Sequence, residues 1–142
     1  MTAHLPKLGM SLATALISSV LATGTAFAAD MKVTLTGEQE VPPVSTPAVA
    51  SGTITINDNA AVSGSIVTTG IKATMAHIHE APAGKNGPVV IPLEKKSDRE
   101  FVVPAGAKLN EAQYKAFKAG DLYVNVHSDA HKDGELRAQL KP

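Results

Sequence analysis

Apolar and polar residues alternate with a period of two in short runs from residue 31 to the C-terminal end, and glycine, proline, asparagine or aspartate interrupts the runs. An extended chain points successive side chains to opposite faces, so this pattern describes half-buried strands rather than a helical bundle. Met31, Val33 and Leu35 alternate with Lys32, Thr34 and Thr36. Residues 53–56 followed by Asn57-Asp58-Asn59 read as strand and turn. Val62, Gly64 and Ile66, alternating with Ser63, Ser65 and Val67, supply the second arm of a hairpin. Further strands are expected over 74–79, 89–93, 100–103, 122–128 and 135–140. The segment from Gly37 to Pro43 must be a loop or irregular edge, because neither Pro42 nor Pro43 can donate to a ladder.

One helix is expected after Asn110. Asn110 is a good N-cap, Gln113 completes a capping-box pattern, Leu109 and Tyr114 are placed to form a hydrophobic staple, and Gly120 marks the end. The predicted fold is all-β: an antiparallel Greek-key β-sandwich or barrel of about seven or eight strands with one short helix.

The N-terminal residues follow a different rule. Lys7, an apolar run over 8–22 and the small-x-small triplet Ala26-Phe27-Ala28 read as a secretory signal over residues 1–28, too short and too rich in hydroxyl residues for a comfortable span. The expected mature chain is a single domain over residues 29–142, periplasmic or secreted, with no membrane span once the signal is removed. It carries 12 basic and 13 acidic groups, which argues against a nucleic-acid partner. The chain has no cysteine, so it has no disulfide staple, thiolate nucleophile or sulfur-rich metal site. A domain of this length buries roughly two-thirds of its unfolded surface without crosslinks.

The four histidines of residues 29–142 fall into two clusters, His77 with His79 and His127 with His131. On a strand His77 and His79 share a face with Met75, opposite Ile78. Tyr123, Asn125 and His127 likewise lie opposite Leu122, Val124 and Val126. Both histidine faces are therefore expected to turn away from the aliphatic core. If the two strands are neighbours, their imidazoles converge on the outer face of a sheet, with His131 approaching from the following loop. Converging neutral imidazoles make a metal site, here over His77, His79, His127 and His131. An all-nitrogen set suits Cu(II), with zinc as the alternative. Met75 is either a packing residue or a soft ligand able to hold Cu(I) as well. A blue-copper centre is excluded for want of a cysteine. Ligand imidazoles must be neutral, so affinity is expected to fall below about pH 6.

At these residues the chain resembles the chordin-type (CHRD) domain family. Leu35-Thr36-Gly37-Glu38-Gln39-Glu40-Val41-Pro42-Pro43-Val44 resembles its opening motif. Ala76-His77-Ile78-His79-Glu80-Ala81-Pro82-Ala83-Gly84 with Asn86-Gly87-Pro88-Val89-Val90 resembles its middle. Leu122-Tyr123-Val124-Asn125-Val126-His127-Ser128 with Gly134-Glu135-Leu136-Arg137-Ala138-Gln139-Leu140 resembles its end. The resemblance implies a small β-sandwich domain of exported bacterial and extracellular animal proteins. A weaker resemblance is to copper–zinc superoxide dismutase. His77-Ile78-His79-Glu80 is similar to its copper-binding His-x-His-Glu strand, and Val124-Asn125-Val126-His127 to the strand carrying its last copper histidine. Gly134-Glu135-Leu136-Arg137 is loosely similar to the segment bearing its active-site arginine. The chain lacks that family's His- and Asp-rich zinc loop, its bridging histidine and its disulfide pair, so only a copper-like geometry at His77, His79 and His127 carries over.

Three functions compete. The leading one is an exported copper-binding protein that stores, buffers or transfers the metal, its partners being the ion and another exported protein; no substrate pocket is recognisable. The second is a copper-only dismutase-like redox enzyme, in which Arg137 would attract an anion rather than form an ordinary Glu–Arg surface pair or a cross-strand structural contact. The third is a metal-free structural or adhesion module, with Glu38 and Glu40 as structural loop residues. Binding is favoured over turnover. Serine-triad, phosphate-loop and paired-carboxylate chemistries find no matching pattern.

Overall fold

The structure, a computed structural model, describes residues 1–2 and 28–142. The expected signal over 1–28 lies almost wholly outside the described residues. Two antiparallel sheets pack as a sandwich. The first contains β1 (Ala28–Leu35), β2 (Val49–Asn57), β3 (Val62–Thr69), β6 (Glu94–Lys95) and β7 (Glu100–Val102), in the order β1-β2-β3-β7-β6. The second contains β4 (Ala73–Glu80), β5 (Val89–Pro92), β8 (Leu122–Ser128) and β9 (Leu136–Leu140), in the order β5-β4-β8-β9. The alternation predicts this arrangement well. Met31, Val33, Leu35, Ile54, Ile56 and Ile66 of the first sheet meet Ala76, Ile78, Leu122, Val124, Val126, Leu136 and Leu140 of the second in one core. The structure adds one strand to the expected count. β6 is two residues long and exposed, so it leaves no apolar alternation in the sequence.

The chain changes sheets between β3 and β4, between β5 and β6, and between β7 and β8. These crossings make β8, not a sequence neighbour, the inner partner of β4. Their register sets Met75 opposite His127, His77 opposite Asn125 and His79 opposite Tyr123. The two expected histidine strands are therefore adjacent. On the far side of β8, β9 places Arg137 opposite Asn125. The backbone of Thr36 then exchanges hydrogen bonds with Arg137, at 3.2 and 3.1 Å, and joins the sheets along one side.

The helix α1 (Glu111–Lys118) lies in the connection from β7 to β8 and buries Phe117 in the core. Asn110 and Gln113 form the expected capping box: the Gln113 N–H donates to Asn110 Oδ1 at 2.8 Å, and the Asn110 N–H to Gln113 Oε1 at 2.9 Å. At the other end the Gly120 N–H donates to Phe117 O, and the Asp121 N–H to Ala116 O, which closes the last turn. Among the described residues no helix is long and apolar enough to cross a membrane. Replacing Asn110 by alanine removes the cap of a helix barely two turns long. It is expected to lower unfolding stability by about 1 kcal/mol, read from urea midpoints at unchanged slope.

Candidate metal centre

Over β8 the outer face of the second sheet is not open to water. Every residue of β8 is buried, on both faces. The cover consists of three loops distant in sequence: residues 36–46 after β1, 81–88 between β4 and β5, and 129–135 between β8 and β9. A covered polar face must find partners within the protein. Among the described residues no buried side-chain nitrogen or oxygen lacks one.

Tyr123 carries the imidazole of His79 in a parallel stack, centroids 4.8 Å apart, and the guanidinium of Arg137 lies 3.5 Å from its ring centroid. Arg137, 1% exposed, donates to Lys85 O at 2.8 Å and to Asn86 Oδ1 at 3.1 Å. Asn86 in turn donates to Val41 O at 2.8 Å, so two of the covering loops are tied together. Of the expected surface pair or structural contact, Arg137 makes the second kind: it is a buried anchor to the loops, because β9 runs beneath them. Glu135 accepts from Thr46 at 2.7 Å and from Ser128. Glu40 is also buried. Burial raises its carboxyl above the ordinary range, against the opposing effects of Asn125 and Arg137.

His77, His79 and His127 converge, each offering a ring nitrogen, with all three within 4.8 Å of one another. Carbonyl oxygens only accept, which fixes one tautomer: His127 donates its Nδ1–H to Lys132 O at 2.8 Å, and in the neutral ring this leaves its Nε2 lone pair for a metal. His79 has oxygen acceptors at both nitrogens, Gly87 O at 3.0 Å from Nδ1 and Asn125 Oδ1 at 2.9 Å from Nε2. Such backbone contacts are the supports that orient ligand histidines. His77 Nδ1 lies 3.0 Å from His127 Nε2. Because His127 Nε2 accepts there, His77 donates, and a proton occupies the place between the two nitrogens. Two nitrogens this far apart, each ~2.0 Å from one ion, subtend roughly 97°, between the square-planar and tetrahedral values. His79 is less free: its Nε2 lies 2.9 Å from Asn125 Oδ1, a contact that an ion must displace.

Burial depresses His77 to about 4, with the neighbouring His127 and His79 adding to the effect. Burial also lowers His79, although its bonds to Gly87 and Asn125 oppose the shift. Burial thus favours the neutral form of both rings, the form a metal requires.

Of the remaining sequence candidates, His131 is not in the converging group. Its backbone belongs to the turn after β8, where its N–H donates to Ser128 Oγ, and its side chain lines a small recess with Glu40 and Lys132. Met75 is 50% exposed, so the packing role does not describe it. A cleft of about 470 Å³ does exist, between residues 38–43 and 83–84. It is lined by Glu40, Arg137 and Gln139 and by none of the three histidines. Sequence reasoning placed Tyr123 and Asn125 on the right face but gave them no part. The overlooked signal was a polar and aromatic face on a strand followed by long loops.

Gly134 is required where the third loop crosses Asn125. Its φ is +125°, and a Cβ there would fall 2.6 Å from both Asn125 Nδ2 and Glu40 Oε1. Gly134→Ala is expected to cost about 1–3 kcal/mol in unfolding stability, because neither the backbone nor the buried pair can yield. The titration of His77 gives a second expectation. Its folded value lies below the unfolded one, so its contribution to stability is complete above the unfolded value of 6.5 and is lost as the pH falls towards about 4. Metal-free protein is therefore expected to lose stability across that window, and His77→Gln to lose less. Denaturation midpoints at several pH values in the presence of a chelator provide the check.

No curated protein and no solved structure matches the chain. The CHRD domain family matches residues 31–140, from the first buried position of β1 through the last residue of β9. With all three sequence motifs lying on one folded unit, this chain belongs to the CHRD domain family.

Proposed function

We propose that this chain is an exported copper-binding protein that stores, buffers or hands on the metal, holding it at His77, His79 and His127, with zinc as the alternative ion. The observation that carries the reading is the separation of 3.0 Å between His77 Nδ1 and His127 Nε2. It brings together two donors from strands joined only by tertiary structure, at the spacing of two ligands on one ion. The backbone supports of His79 and His127 and the depressed basicity of His77 favour the same use, since a ligand imidazole must be uncharged. Export follows from the sequence of residues 1–28, and another exported protein is the natural source or recipient of the ion. The dismutase-like reading gains nothing from Arg137. The guanidinium is turned into the covering loops and is not presented to an incoming anion.

The test is elemental analysis and Cu(II) electron paramagnetic resonance on the purified protein. One equivalent of copper is expected, with nitrogen hyperfine structure from the imidazoles. His77→Ala or His127→Ala is expected to abolish tight binding, whereas His131→Ala weakens it modestly at most. Protein that takes up neither copper nor zinc, or a His127→Ala variant that binds as well as the parent, would sink the reading in favour of a metal-free module.

A further inference from the structure

We propose that Met75 supplies a thioether ligand at the open side of the centre, so that the site holds Cu(I) through His77, His127 and Met75; this rests on the copper-binding reading above. In β4, Met75 shares the outer face with His77 and His79, while Ala76 and Ile78 enter the core. It pairs directly with His127 across the β4–β8 ladder. At that pairing the two Cβ atoms stand about 4.5–5.5 Å apart, and the flexible methionine chain can carry its sulfur to the imidazole nitrogen.

Exposure along β4 shows which side is open. His79 is 8% exposed beneath its loop, His77 is partly exposed, and Met75 is 50% exposed. The closed side is also the side where both nitrogens of His79 already have partners, Gly87 and Asn125. An ion arriving from solvent therefore meets the methionine before it reaches the His77–His127 pair. The only other methionine of residues 29–142, Met31, is buried in the core, so Met75 is the one thioether of that stretch within reach of the face. A thioether is a soft donor that favours Cu(I), while imidazole serves both copper states and zinc. Met75 thus gives the centre a preference that three histidines lack.

The experiment measures Cu(I) affinity by competition with a chromogenic chelator without oxygen, and Cu(II) affinity in parallel, for the parent and for Met75→Leu. The substitution keeps the volume at an exposed position and leaves the fold intact. Cu(I) affinity is expected to fall at least about tenfold while Cu(II) affinity stays within about twofold. X-ray absorption of the Cu(I) form is expected to show one sulfur neighbour, which Met75→Leu removes. Residues 29–142 hold no cysteine and only one other methionine, the buried Met31, so a sulfur signal from that stretch reports Met75. Equal Cu(I) affinities, or a Cu(I) shell of nitrogen alone in the parent, overturn the role of Met75 and leave the histidine site standing. A parent that binds neither copper ion overturns both.

Discussion

Over β8 and Arg137 of β9 the outer face of the second sheet is polar and buried, and the rest of the site follows from that constraint. Burying Tyr123, Asn125, His127, Glu135 and Arg137 behind loops is tolerable only if their polar atoms find partners. The loops provide them mainly through backbone carbonyls: Gly87 for His79, Lys132 for His127, and Lys85 for Arg137. The hydrogen bonds that fasten the loops to the sheet also orient the rings of His79 and His127. Loop closure and preparation of the donors are one event.

The two faces of the same sheet do different work. The inner face, with Ile78, Val124 and Leu136, joins the hydrophobic core and holds β4, β8 and β9 in register. That register alone brings His77 and His127 together, since the two lie fifty residues apart in the chain. Strand-borne donors lose little freedom when they bind an ion, because the backbone beneath them is already ordered. His79 is the exception: its contact with Asn125 must give way first. The centre is thus graded, closed and hydrogen-bonded at His79 and open towards Met75.

Within the CHRD family, the three motifs that mark this chain correspond to three parts of one construction. The Thr36–Pro43 stretch is a covering loop whose Glu40 is buried beside Asn125, and the backbone of Thr36 joins the two sheets. The His77–Gly87 stretch supplies two donors and the loop above them. The Tyr123–Arg137 stretch supplies the third donor and the anchor that ties the loops down. A motif spread over a whole chain is expected where loops from different hairpins must meet on one face.

By itself the sequence determined every strand but the two-residue β6, the helix and its caps, and which side chains share a face, because alternation and capping are local and depend on residues a few positions apart. It also placed His77, His79 and His127 off the aliphatic face. Three things were decided only by tertiary structure. β8 became the neighbour of β4, the outer face was covered, and Arg137 became a buried anchor to the loops. Each depends on loops and crossings that bring distant residues together, and a polar residue in a sequence looks the same whether water or a backbone carbonyl satisfies it. For the same reason His131, four residues from His127 and equally polar, was legible as a candidate but not as a residue outside the converging group.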